Sequence, residues 1–521
     1  MADASSRGPS RSGLALLVIV IGVLITAVDT TIVVLALPEI QRSLHIGLSS
    51  VIWVIIGYLL VITLLATQLG RLGDMFGRVR MYELGFFIFV VGSLLCALAW
   101  NEASIIGFRL LQGVGGALVA ANSGAVIADT FPPERRGKAY GYNAVGWNIG
   151  AVLGVLLGGL IVTYFSWRWI FWINVPIGLV ALVIALRVLR DHGEREKRRL
   201  DYLGTITLGL GLFGILWGLT KLTSESLNAA IVGFVVAGLI LLVAFAVIER
   251  HQEEPMLDLA IFKVPTMSPT LLAALFQGLA SFSVLYLLLM YLQGVRGYTP
   301  LHASLLLLPG YVVGGVVGPF GGRLADRFGS VWPATLGLIL QMVALVVYAQ
   351  LGTGSAIWIL SGAYVIGAIG SGGFYPANNA AVMKAAPAGS FGIASGMLRT
   401  FANIGMVFSF AAAIVVASGT ISKNQAFAIF VGTSKLGPRL GTLFTAGIHN
   451  AFYLSVGLMA IAAVCSATNL KHYVGKKAPI SPNFPPQNRH PLRLRHTRVI
   501  YPMWFTALSR ASESPLATRS W

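Results

Sequence analysis

The chain has 521 residues; 56% are hydrophobic, 11% are charged, and the mean hydropathy is +0.79. A soluble domain carries roughly 25% charged residues, and the long apolar runs here recur from end to end, each able to cross ~30 Å of hydrocarbon as a helix; a water-soluble core is excluded. The net charge of +18 would suggest nucleic acid in a soluble protein, but Lys and Arg collect in alternate loops and in the C-terminal tail, as a membrane topology requires, and no nucleic-acid partner is expected.

Arg7 and Arg11 precede an apolar run that continues to about Leu37 with no small-residue cleavage site. It is too long for a signal peptide and reads as a first membrane helix. Fourteen spans are predicted, at roughly 13–37, 51–69, 80–100, 103–127, 138–163, 169–189, 203–220, 228–248, 268–293, 301–321, 332–351, 356–380, 393–418 and 444–470. One set of loops carries 17 basic residues, among them Arg71, Arg78, Arg80, Arg135 and Arg323; the other set carries 7, among them Arg42, Arg168 and Arg296. The richer set is predicted to be cytoplasmic, which places both termini on the cytoplasmic side of a plasma membrane. Trp53, Trp100, Trp167 and Trp358 fall near predicted outer boundaries, where an aromatic belt is expected.

The second and third spans are joined by Gly70-Arg71-Leu72-Gly73-Asp74-Met75-Phe76-Gly77-Arg78. The stretch recurs 252 residues later as Gly322-Arg323-Leu324-Ala325-Asp326-Arg327-Phe328-Gly329. Gly115, Gly116 and Asn122 recur as Gly372, Gly373 and Asn379 at an offset of 257, and Gly141, Asn148 and Gly150 recur as Gly396, Asn403 and Gly405 at an offset of 255. These anchors keep their order. They divide the chain into an N-terminal segment (1–12), a six-helix bundle (13–190), a linker with an inserted two-helix hairpin (191–267), a second six-helix bundle (268–470) and a basic tail (471–521). The expected fold is thus an all-α integral membrane protein of two parallel six-helix repeats plus a hairpin, a plan that puts a substrate site between the halves near the midplane. The tail, which includes Tyr501 to Phe505, is expected to be disordered and to touch anionic lipid. The outer loop 420–443 suggests no role.

Asp29 is the carboxylate placed deep in a span, about eight residues from the predicted outer end, or roughly 12 Å at 1.5 Å per residue. Arg109 lies roughly 9 Å from the outer end of the fourth span on the same rise per residue. An arginine inside a span costs at least ~2.5 kcal/mol, so a partner at matching depth is expected. Either the two form a proton-exchanging pair, or they form a fixed structural pair, or Asp29 caps a break and Arg109 reaches the interface. Tyr58, Gln112, Asn122, Asn148, Gln277, Asn379 and Asn403 are the polar span residues expected to line a cavity. In the loop, Gly70, Gly73 and Gly77 suit a tight turn, and Asp74 suits a helix end or a basic partner.

Gly70 to Arg78, with Leu72 and Asp74, resembles the loop motif of the major facilitator superfamily, and Gly322, Asp326 and Gly329 repeat it. Arg109-Leu-Leu-Gln112-Gly113-Val-Gly115 resembles the family's fourth-span motif. Gly141 followed by Gly150, Gly154, Gly158 and Gly159 resembles its antiporter motif, with Val155 where that motif has proline. Asp29 to Pro38 and Ser166-Trp167-Arg168-Trp169 to Asn174-Val175-Pro176-Ile177-Gly178 are similar to signatures of the 14-helix drug:proton antiporters. The resemblance covers residues 13 to about 470. It implies alternating-access export of amphipathic, often cationic compounds in exchange for protons, with Asp74 as a charged latch between conformations. Asp326 is expected to be a weaker latch, since Ser330 stands where Arg78 stands in the first copy. Relatives that export single metabolites, peptides or lipids keep those readings open beside a transporter-like sensor. No phosphate-cradling motif points to ATP, and the histidines make no metal-spaced pair. The chain is read as a non-enzyme without cofactors, with a small amphipathic substrate, protons and the lipid bilayer as partners, and as a monomer.

Overall fold

The computed structural model describes residues 9–191, 199–252, 254–257, 259–386, 391–419 and 438–474. Most of the 420–443 loop, the basic residues Arg195, Lys197 and Arg198, and the tail from residue 475 lie outside the described residues. Among the described residues, fourteen helices are long and apolar enough to cross a membrane: α1 (Ser12–Leu44), α2 (Leu48–Phe76), α3 (Arg78–Ala97), α4 (Glu102–Thr130), α5 (Ala139–Tyr164), α6 (Trp169–Val188), α7 (Tyr202–Lys221), α8 (Ala229–Glu249), α9 (Met267–Val295), α10 (Pro300–Phe328), α11 (Val331–Tyr348), α12 (Ile357–Ala385), α13 (Ala394–Ala417) and α14 (Thr442–Asn469). The all-helical fold and the number of spans are those the sequence predicts.

Local chemistry sets the helix ends. Asn101 and Ser104 form a reciprocal capping box at α4: the Ser104 N–H donates to Asn101 Oδ1 at 2.8 Å and the Asn101 N–H to Ser104 Oγ at 3.0 Å. Asp201 caps α7 by accepting from the Gly204 N–H at 2.7 Å, and Asn228 caps α8 by accepting from the Ile231 N–H at 2.9 Å. Several boundaries differ from the prediction; α10, for one, continues to Phe328. α1 continues through Pro38 to Leu44, because one lost backbone bond does not end a helix whose neighbours bury it. α2 continues to Phe76, so Gly70 and Gly73 are helical and Gly77 alone turns the chain, at φ 111°. α9 is interrupted at Phe282 and Ser283 and finishes in a wide π-type turn, Met290–Val295.

The helices pair in a pattern that occurs twice. α1 lies along α5, α3 along α4, α2 against α4, and both α1 and α3 touch α6. In the second set α9 lies along α13, α11 along α12, α10 against α12, and both α9 and α11 touch α14. α7 and α8 pack on each other, and α7 leans on α2. There the Trp53 ring sits 5.3 Å from Phe213 and 5.7 Å from Trp217, and its indole N–H donates to Thr220 Oγ1 at 3.1 Å. Trp53 and Trp167 are therefore buried by neighbouring helices and do not belong to an outer belt, whereas Trp100 and Trp358 are 67% and 73% exposed.

The two sets meet along α5 and α10 and along α2 and α13. At one end of the α5–α10 seam, a Cβ at Gly159 would run into Ser304 and the Pro300 carbonyl, and the Leu301 N–H donates to Thr163 Oγ1 at 3.2 Å. Midway, a Cβ at Gly315 would sit 3.8 Å from that of Asn148. Toward the Asp74 end, nothing lies within 4 Å of a Cβ built on Gly141 or Gly318. The seam is closed at the Ser304 end, whereas these two glycines toward the Asp74 end adjoin open space.

Candidate functional site

Asp29 and Arg109 meet inside the first set of helices. The Arg109 guanidinium donates to Asp29 Oδ2 at 2.7 Å, to Gln112 Oε1 at 2.6 Å and to the Val54 carbonyl at 2.8 Å. The other carboxylate oxygen of Asp29 accepts from the Gln112 amide at 2.9 Å and the Asn174 amide at 3.2 Å. Gln112 also donates to Ser93 Oγ at 2.8 Å. The guanidinium lies 4.1 Å over the Tyr58 ring and 5.7 Å from that of Phe171, close enough for cation–π attraction in a desolvated site. Asp29 is 0% exposed and Arg109 1%. Side chains or carbonyls from α1, α2, α3, α4 and α6 thus converge on one ion pair. Burying such a pair costs several kcal/mol per ion, and that cost is offset here by the mutual attraction and by the hydrogen bonds that Gln112, Asn174 and the Val54 carbonyl add to it.

The second set has no such pair among the described residues. Gln277 donates to Gln341 Oε1 at 3.0 Å and to Ser281 Oγ at 3.2 Å, while the Ser409 hydroxyl donates to Ser283 Oγ at 3.0 Å. Neutral hydrogen bonds stand in for charge.

At the Asp74 end, Arg78 bridges two acids, Asp74 Oδ1 and Asp129 Oδ1, each at 2.8 Å. Asp191 Oδ1 accepts from the Val79 N–H at 2.8 Å and caps α3. Arg71 donates to the carbonyls of Arg199 and Glu254 at 3.0 Å and of Pro255 at 2.6 Å, and thereby ties α2 to both ends of the hairpin. Asp326, in the second copy, is exposed and forms no ion pair among the described residues. Leu72 is partly buried; Gly322 lies within α10 and Gly329 ends it at φ 84°.

The α5 glycines form a groove for α1. A Cβ at Gly146 would meet Val20, at Gly150 the Leu24 carbonyl, at Gly154 Thr31 and the Val28 carbonyl, and at Gly158 Ile32. Glycines four apart thus seat α1 residues four apart, a small-residue helix contact; Gly159 instead faces α10.

The polar candidates separate by position. Tyr58 and Gln112 surround the ion pair. Asn122 is buried against Gly73 and donates to the Leu118 carbonyl at 2.9 Å, and Gln277 is buried in the second-set network. Asn148 and Asn379 are exposed and Asn403 is partly so. In α12 it is Asn378, the neighbour of Asn379, that is buried. Sequence reasoning did not single out Asn174, Ser93, Asp129 or Asp191. Asn174 had a signal, since it begins the quoted Asn-x-Pro-x-Gly stretch; the others are isolated polar residues with no local pattern. Arg168, in the preceding Trp-Arg-Trp, lies 4.5 Å over Trp167 and donates to the Ala99 carbonyl at 2.9 Å.

Two six-helix repeats with a charged pair sealed in one of them are the architecture of a membrane transporter. The Major Facilitator Superfamily profile matches residues 19–410, and the chain belongs to that superfamily. It is 32% identical over 395 residues to a tetracenomycin C resistance and export protein of Streptomyces glaucescens, covering 75% of this chain and 73% of the relative. It is 28% identical over 415 residues to the riboflavin transporter RibZ of Clostridioides difficile (strain 630), covering 80% and 90%. A bacterial homologue of the human lysosomal transporter Spinster, in an inward-facing and unoccupied conformation, shares the fold with TM-score 0.63 and 16% identity, over 91% of this chain and 100% of that one.

Proposed function

We propose that the protein exports amphipathic compounds by alternating access in exchange for protons, with the Asp74 end and both termini facing the cytoplasm of a plasma membrane. The observation that carries the coupling is the sealed Asp29–Arg109 pair. A carboxylate 0% exposed in the membrane interior is held there by its arginine, and separating the two leaves an uncompensated buried charge. In the closed-at-Ser304 arrangement the pair is shut, so protonation belongs to the state in which that end opens. The resistance and export named for the Streptomyces relative supports the direction of transport. Proton entry at ~100 mV yields ~2.3 kcal/mol, and one pH unit adds ~1.4 kcal/mol, enough for a gradient of about 500-fold. In proteoliposomes, substrates from an amphipathic panel should drive proton movement in the opposite sense; uptake that follows substrate alone and ignores pH rejects the coupling. Single cysteines at Ser226 and His251, in a background without Cys96 and Cys465, should label from opposite faces, with Ser226 reactive in intact cells. The reverse pattern overturns the orientation.

Arg399 favours a second reading of the cargo. It is an accessible cation on α13 that reaches across to the Ala120 carbonyl on α4 at 3.4 Å, so neutral or acidic compounds fit the seam better than cations there. On this reading the protein exports a specific metabolite, as the riboflavin transporter relative illustrates. Competition by acidic and by cationic members of the same panel separates the two.

A further inference from the structure

Arg71 and Arg323 hold the same place in the two copies of the repeat, 252 residues apart, in different surroundings. Arg71 is saturated by carbonyls that flank the inserted hairpin, and α7 covers the adjoining face of α2. Among the described residues, the second set has no inserted hairpin. Arg323 is exposed, with its guanidinium 5.4 Å from the Phe320 ring, and Arg327, one turn on, is exposed 5.3 Å from the Phe328 ring. Neither makes a hydrogen bond or an ion pair among the described residues.

Both arginines line a groove of about 360 Å³ walled by α10 and α11 and floored by α12. Below them its lining is apolar: Val317, Phe320 and Leu324 on one wall, Leu336 and Leu340 on the other, Ile369 on the floor. Asp326 is not part of the lining. Phe320, Phe328 and Leu336 are more than half exposed, so the groove opens sideways toward the bilayer. Two guanidinium groups four residues apart share a helix face and present forks that match phosphate oxygens. Basic pockets between membrane helices bind anionic lipid headgroups by this chemistry.

We propose that this groove binds an anionic phospholipid, with the phosphate on Arg323 and Arg327 and an acyl chain against Phe320, Leu336 and Leu340. The lipid phosphate takes at Arg323 the place that the carbonyls flanking the hairpin take at Arg71. The inference needs the bilayer alone and stands apart from any choice of cargo or coupling ion.

The test is native mass spectrometry of the full chain, stripped of lipid in detergent and offered equal phosphatidylglycerol and phosphatidylcholine. The wild type should retain phosphatidylglycerol in preference by about 10-fold or more. Arg323→Gln with Arg327→Gln should bring the preference to about unity, while the double lysine variant should keep part of it. Ile369→Trp, which fills the floor and leaves both cations, should lose the bound lipid. Unfolding temperatures confirm that each variant is folded. A double glutamine variant that keeps the preference, a wild type with none, or displacement of the lipid by water-soluble glycerol phosphate at equal concentration each overturns the proposal.

Discussion

Gly77 and Gly329 end equivalent helices in the same positive-φ region, at 111° and 84°. A side chain in a left-handed backbone costs ~1–2 kcal/mol, so alanine at either site should destabilise the protein. At Gly77 a Cβ would also collide with the Asp191 carboxylate that caps α3, and a lost cap costs ~1 kcal/mol more. Gly77→Ala should therefore lower the unfolding temperature in detergent further than Gly329→Ala. Equal shifts would show that the Asp191 cap has no weight.

The ion pair predicts a double-mutant cycle. Arg109→Gln leaves a buried carboxylate without its cation and should cost ~3–5 kcal/mol; combining it with Asp29→Asn should recover much of that stability. Asp29→Asn alone should fold and should abolish pH-driven export while leaving binding of neutral compounds. If the Asn variant still exports against a gradient with normal pH dependence, Asp29 is not the proton carrier.

Arg78 joins Asp74 to Asp129 at 2.8 Å on each side, whereas Asp326 has no ion-pair partner among the described residues. Asp74→Asn should cut transport strongly, by 10-fold or so if it forfeits ~1.4 kcal/mol of state preference, and Asp326→Asn should cut it less. Matching mild effects on initial export rates reject this asymmetry.

Gly154 seats α1 where its own Cβ would strike Thr31 and the Val28 carbonyl, while Gly141 on the same helix has open space. Overpacking costs ~1–3 kcal/mol. Gly154→Ala should therefore lower thermal stability and Gly141→Ala should not. A neutral Gly154 substitution would mean that α1 and α5 separate freely.

Hydropathy made the spans legible because each must satisfy its backbone within the bilayer. The repeat was legible because Gly77 and Gly329 have few substitutes at positive φ. The matching depths of Asp29 and Arg109 could be read from helical rise, although α1 runs past Pro38 and places Asp29 nearer the middle of its helix than the sequence suggested. Asn174 and Ser93 were not legible as partners of that pair. Their roles depend on which faces of α6 and α3 turn inward, and in helices apolar on nearly all sides no periodicity marks that face. Asn122 and Trp53 misled for the same reason, since a polar or aromatic residue in a span looks alike whether it meets a cavity or another helix.

The seam between Gly159 and Ser304 has an electrical consequence. Across a charged membrane, a protein with both ends open at once is a conductor, and its leak drains the gradient that drives it. With no side chain at Gly159, backbone and a serine hydroxyl close the seam there. The missing side chain serves as insulation, and its replacement by a bulky one would show as ion current before it showed as lost binding.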